Sequence, residues 1–305
     1  MPPLAPQRYR SRISIIGEDT RVARALPHRA RRTVGAWCFL DHAGPVQFAA
    51  GKGMHVGAHP HIGLQTFTWM IEGEVVHRDS LGHEQVIRPG QVNLMTAGRG
   101  IAHTEDSVAD GARLHAAQLW IALPEHERRR EPAFENYPDL PIVDIGGFRA
   151  TVLAGRALGH TAPAAIYTPL VGIDLTADGA ARTALPLQAD FEYAAMVLRG
   201  TATVGGEALA PGEWLYFAPG REQLTVQCDA SAQLLLLGGE PFGEDILIWW
   251  NFVARTQAEM QAALDDWNAG RLAPVRAGSP AAPLQAPSLA GVQLRPAPGA
   301  IDPSR

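Results

Sequence analysis

The sequence predicts an all-β protein: two β-domains of the same kind in tandem, followed by one short helix near the carboxy terminus. Three observations carry that prediction. Short β-rich runs recur at close spacing, helix signals are scarce until the end, and a stretch of the first half has a counterpart in the second.

The runs "RISIIG", "WCFLDH", "LQTFTWMI", "EVVHRDS", "QVIRPG", "QVNLMTA" and "LHAAQLWIAL" alternate or concentrate apolar residues between Gly and Pro punctuation. That is the pattern of antiparallel strands in a sandwich or barrel rather than of βαβ units. The repeat pairs "EGEVVHRDSLGHEQVIRPGQVNLMTAGRG" with "RGTATVGGEALAPGEWLYFAPGRE". In both copies a Pro-Gly (Pro89-Gly90, Pro211-Gly212) is followed by a Gly-Arg (Gly98-Arg99, Gly220-Arg221) at equal spacing. The helix signal comes late: Thr256 and Glu259 form a capping box before "MQAALDDWNA", and Gly270 stands where a glycine would stop the helix. The expected division is 1–140, then 141–272 with the helix at 256–269, then a mostly irregular Pro/Ala-rich tail over 273–305.

Composition removes several function classes. At 305 residues and 46% hydrophobic content the chain can bury a sizeable core, yet no apolar run approaches the roughly 20 residues of a membrane helix. The start, "MPPLAPQRYRSR", has no apolar signal core, and Cys38 and Cys228 lie far apart without CxxC spacing. A cytoplasmic protein is expected. The net charge of -5 and a single lysine, Lys52, disfavour direct nucleic-acid binding. The one basic cluster, "RALPHRARR" from Arg24 to Arg32, reads as a solvated loop with local ion pairs.

The candidate chemistry lies in "AHPHIGLQTF" and "GIAHTED". On an extended segment alternate residues share a face, so His59 and His61 project together, and so do His103 and Glu105. Three imidazoles and one carboxylate suit a divalent first-row metal with positions left for water or substrate. A lone buried histidine is usually a hydrogen-bonded core residue, but here both pairs fall in one copy of the repeat. Carried across in register, His103 falls on Thr225 and Glu105 on Gln227, while His59 and His61 fall near Pro186 and Gln188, so the second copy has no ligand set. These donors leave iron barely ahead of zinc, copper, nickel and manganese.

"FLDHAGPV", "HPHIGLQTFTWMIEGEVVHRDSLG", "RPGQVNLMTAGRGIAHTE", "LHAAQLWIALP" and "GGEPFGEDILIWWNFVARTQAEMQAALDDWNAGRL" together resemble the pirin family of the cupin superfamily, from about Arg8 to Leu272. The resemblance implies two cupin (jelly-roll) β-barrel domains and one iron(II) in the first, held by His59, His61, His103 and Glu105. Gln65 departs from the Glu of many relatives, which removes a carboxylate from the metal's surroundings. The activity implied is oxidation of a flavonol by dioxygen with release of carbon monoxide, as in quercetin 2,3-dioxygenases, on a monomer. Glu105, as the carboxylate of the set, would double as base for the flavonol hydroxyl. Gln118 and His42 are candidates to support the ligands, with Asp41–His42 equally suited to capping a turn before Gly44-Pro45. His55, His77, His83 and His115 are read as structural or surface residues, and Trp249 and Trp250 as packing. The alternative is a non-catalytic, iron-dependent regulatory protein acting through a protein partner.

Overall fold

The computed structural model describes residues 4–17, 20–275 and 278–296; the last nine residues of the expected tail, with 276–277, lie outside them. The architecture is all-β with one helix, and contacts divide the chain into two compact units. These are not consecutive halves. One unit, here the histidine unit, comprises 13–22, 41–138 and 243–305; the other, the apolar unit, comprises 1–12, 23–40 and 139–242. One boundary between the units falls at Pro138/Asp139, the amino-terminal segments alternate between units, and the helix belongs with the histidine unit. Periodicity reveals strands and not their partners, so this exchange leaves no trace in the pattern.

In the histidine unit a four-stranded sheet runs in the order His55–His61, Ile101–Ser107, Val75–Asp79, Glu84–Ile87. A larger sheet runs Ala133–Tyr137, Val92–Thr96, Leu64–Glu72, Arg113–Ala122, Trp37–Gln47 and onward. Residues of both sheets meet in one apolar cluster that includes Ala43, Met54, Val56, Met70, Val75, Ile87 and Ala116, which fixes the inward face of each strand. The expected turn at Asp41–Pro45 is instead the middle of the Trp37–Gln47 strand. Gly44 there has φ +82°, and a Cβ on it would meet the Leu114 carbonyl, so a bend is accommodated without ending the strand.

The apolar unit repeats the plan. Its four-stranded sheet, Ala181–Pro186, Gln223–Cys228, Ala202–Val204, Glu207–Leu209, has the same order as the one above. Its larger sheet includes Gln7–Arg10, paired with Glu213–Phe217. The interior is filled by Phe148, Ile173, Leu185, Tyr193, Phe217, Leu224, Val226 and their neighbours. The Arg24–Arg32 cluster is less solvated than expected: Arg31 stacks 3.3 Å above the Tyr216 ring and lies 3.6 Å from the buried Glu192 carboxylate. Cys38 and Cys228 are both buried and are not joined in a disulfide.

The helix spans Gln257–Asn268. Thr256 Oγ1 accepts the Glu259 N–H at 3.2 Å, and the Glu259 carboxylate reaches back to the Arg255 N–H at 3.0 Å, one residue before the reciprocal bond of a standard capping box. Met260, Ala263 and Leu264 bury its inner face against Leu247, Phe252 and Leu289. No helix among the described residues is long and apolar enough to cross a membrane.

Candidate metal centre

The site begins with a mismatch between two paired strands. Glu105 lies opposite Val56 but His103 lies opposite His59, so three residue steps on one strand span what two span on the other. The extra residue is a β-bulge at Gly57–Ala58. Without it, strict alternation would put Val56 and His59 on opposite faces; with it both point inward, His59 and His61 beside His103. One nitrogen from each of the three lies within 4.8 Å of the other two, and all three residues are buried.

Their orientations are fixed by acceptors behind them. His59 Nδ1 donates to the Gly57 carbonyl of the bulge at 2.8 Å, and His61 Nδ1 donates to the Asn251 carbonyl at 3.0 Å. Asn251 lies in the two-residue turn between Leu247–Trp249 and Phe252–Ala254, and Trp250 in that turn has φ +52°, a conformation costly for a bulky residue. His103 is held through a relay. Burial tends to raise the Asp79 pKa, but hydrogen bonds from His77 and the His83 N–H bring it below the ordinary carboxylate value, so it is an acceptor. His77 Nε2 therefore donates to Asp79 at 3.1 Å, its Nδ1 accepts, and His103 Nδ1 donates to it at 3.2 Å.

With every Nδ1 proton committed, each Nε2 carries a lone pair. His61 Nε2 and His103 Nε2 are 3.1 Å apart. Two lone pairs at that distance repel, whereas nitrogens sharing one ion at about 2.1 Å from each sit at comparable separation. Burial keeps the rings neutral, as ligation requires: the His59 pKa falls to about 4, and those of His61 and His103 fall well below the ordinary value. The donor set fits a divalent metal.

The fourth expected donor stands apart. Glu105 is not among the groups that converge within 4.8 Å, although it faces inward beside His77 and Val56. Burial first, and the neighbouring Asp106 second, push its pKa to about 7. The bulge falls opposite the interval between His103 and Glu105, so the strand offset that gathers the imidazoles passes between these two residues. Gln118 shares its face with Trp120, whose ring lies 5.3 Å from that of His61, and accepts a hydrogen bond from Thr68 at 2.8 Å. His42, next to the inward Ala43, points to the opposite face and pairs with His115 Nε2 at 2.8 Å. Gln65 also faces away and bonds Thr96, so its departure from Glu leaves the site's polarity unchanged; Thr66, opposite Trp120, is the inward residue. His55 and His83 hold Asp106 and Asp79, as structural histidines should, but His77 belongs to the site and its sequence signal was the i, i+2 spacing to Asp79. A cleft of about 280 Å³ lined by Ile62, Arg128, Val253 and Glu259 opens nearby, yet none of the three histidines lines it.

Strand pairing also corrects the alignment of the repeat. Gly73 and Gly200 precede equivalent strands, which places His77 on Val204 and therefore Glu105 on Val226, His103 on Leu224, His59 on Leu185 and His61 on Leu187. The expected Thr225, Gln227, Pro186 and Gln188 are each one residue away, because the connection after Arg221 is one residue shorter than that after Arg99 and the connection from Leu187 to Gly200 is one residue longer than that from His61 to Gly73. In strands that slip exchanges faces. The apolar unit has no donor at any of the four positions.

Residues 19–121 match the pirin family model and residues 172–273 that of the pirin C-terminal cupin domain, so the fold contains two cupin domains. A Pseudomonas aeruginosa protein named as a candidate quercetin 2,3-dioxygenase is 53% identical over 264 residues, covering 87% of this chain and 84% of its own. A pirin-like protein of Caulobacter vibrioides is 39% identical over 259 residues, covering 82% and 89%. The crystal structure of a quercetin 2,3-dioxygenase from Acinetobacter baumannii superposes with a TM-score of 0.92 at 49% identity, covering 95% of this chain and 97% of that one. The chain belongs to the pirin family.

Proposed function

We propose that this pirin binds one divalent metal, iron(II), through His59, His61 and His103, and oxidises a flavonol-type substrate with dioxygen. The observation that carries the metal reading is the commitment of all three Nδ1 atoms to acceptors, with three Nε2 atoms turned toward one point. Names of relatives at 53% and 49% identity support the choice of reaction. The inward faces beside the histidines suit a flat, hydroxyl-bearing ring system: Trp120 and Phe134 offer aromatic surface, and Thr66, Thr68, Asn93 and Gln118 offer hydroxyl and amide groups.

Bound iron(II) would supply a Lewis acid and a meeting point for dioxygen and a chelating enolate. The chain itself does the rest. The three imidazoles keep an open side toward the interior, and the Asp79–His77 pair holds His103 in the ligating tautomer. Glu105, inward on the His103 strand, takes the proton of the flavonol hydroxyl and serves as a further ligand when a charge is present to attract it. Asp79 is unsuited to that role because its oxygens already accept from Leu81, His83 and His77. Both oxygen atoms enter the organic product, the heterocycle opens, and one ring carbon leaves as carbon monoxide.

Anaerobically purified protein loaded with iron(II) should consume oxygen and release carbon monoxide with quercetin or a related flavonol, and His59→Ala and Glu105→Gln should each lose that activity. Iron retained without oxygen uptake across a flavonol panel would instead favour an iron-dependent regulatory role.

A further inference from the structure

Within the tail beyond residue 273, outside both family matches, the described stretch 278–296 is irregular in secondary structure but not detached. It meets both strands that carry the histidines. Leu284 N–H donates to the Ala58 carbonyl at 2.9 Å, and a Cβ on Gly57 would lie only 1.8 Å from the Ala282 carbonyl oxygen. On the neighbouring strand, Ser279 Oγ donates to Asp106 Oδ1 at 2.8 Å. The tail is anchored on its far side: Trp267 Nε1 donates to the Leu284 carbonyl at 2.8 Å, Gln257 bonds Val292 and Leu294, and Leu289 is buried against the helix.

Gly57 and Ala58 are the bulge. A bulge leaves carbonyls without ladder partners, and buried carbonyls need them. Here the two are divided: Gly57 oxygen accepts from His59 Nδ1, and Ala58 oxygen accepts from the tail. Releasing the second would free the peptide that follows the first to rotate. We propose that residues 279–289 form a strap that locks the bulge, and thereby positions His59 for metal. The Gly57 side is glycine because the strap lies against it.

The inference rests on the metal reading. Its test is cobalt(II) affinity and visible spectrum in the full-length chain, beside thermal unfolding of the metal-free protein. Leu284→Pro removes the donor N–H, and Leu284→Ala keeps it while shortening the side chain. Gly57→Ala forces the strap away. Gly146→Ala, where a Cβ would lie 2.0 Å from the Arg182 carbonyl, is an equally crowded site in the apolar unit. Leu284→Pro and Gly57→Ala should weaken cobalt(II) binding by roughly 10- to 100-fold, the usual cost of a lost ligand-orienting partner, and alter the spectrum. Leu284→Ala should bind nearly as wild type, and Gly146→Ala should lower the melting temperature with affinity intact. Wild-type affinity and spectrum in both Leu284→Pro and Gly57→Ala would overturn the strap while leaving the metal reading standing. Absence of cobalt(II) binding by the wild-type chain would overturn the metal reading, and the strap with it.

Discussion

The ladder of His55–His61 with Ile101–Ser107 and that of Ala181–Pro186 with Gln223–Cys228 occupy the same place in two sheets of the same order. In the first, a bulge interrupts the register and three imidazoles and a carboxyl face inward; in the second, the register is unbroken and Leu185, Leu187, Leu224 and Val226 stand at those positions. The cupin plan therefore dictates neither chemistry nor emptiness. One inserted residue and four side chains separate a site from a packed core.

Exchange of the residues is the sharpest way to break that comparison. A His59→Leu/His103→Leu variant should lose metal binding beyond the roughly 10- to 100-fold of an orienting partner, and should unfold more readily than the metal-free wild type by about 1–3 kcal/mol for each acceptor orphaned, because the Gly57 carbonyl and His77 Nδ1 lose their N–H donors. Retained stoichiometric binding by equilibrium dialysis would refute the assignment of these ligands. The reverse side of the comparison predicts a stability effect: Leu185→Ala should cost about 2–5 kcal/mol by denaturant titration while leaving metal affinity unchanged.

Next comes the relay that only the first ladder has. Asp79→Asn replaces the carboxylate acceptor behind His77 and should weaken metal binding by about 10- to 100-fold, read by competition with a chelator, without removing a ligand. The smallest effect concerns pH. His42 is buried beside His115, and burial with that neighbour lowers its pKa to about 3. Between pH about 6.5 and 3 the unfolded chain then binds a proton that the folded chain does not, so stability falls as pH falls through that window. His42→Phe should recover about 2 kcal/mol of the stability lost between pH 8 and pH 5, measured by chemical denaturation; an unchanged acid limb would mean His42 is charged in the folded state.

Much of this was legible in the sequence. Alternation placed His59, His61 and His103 on inward faces, the capping box located the helix, and the repeat announced two related domains. The errors share a cause. A one-residue shortening after Arg221 moved the aligned positions from Leu224 and Val226 to Thr225 and Gln227, and nothing in a polar loop marks where a residue is missing. His42 and Gln65 were misread because an outward face can be as buried as an inward one. His77 and Asp79 lie on a strand whose pairing with the His103 strand no local pattern encodes, and Asn251 reaches His61 from 190 residues away. The tail has neither period nor propensity, so its docking along the bulge rests on backbone groups that carry no sequence signal.

Two of the three imidazoles take their orientation from backbone carbonyls, those of Gly57 and Asn251. A carbonyl is present whatever the side chain, so Asn251→Ala would leave its contact chemically in place and an alanine scan would return Asn251 as an unimportant position. Relatives could differ freely in its side chain while keeping the same dependence. Only changes that move the main chain, through the turn at Trp250 or the bulge at Gly57, would expose it.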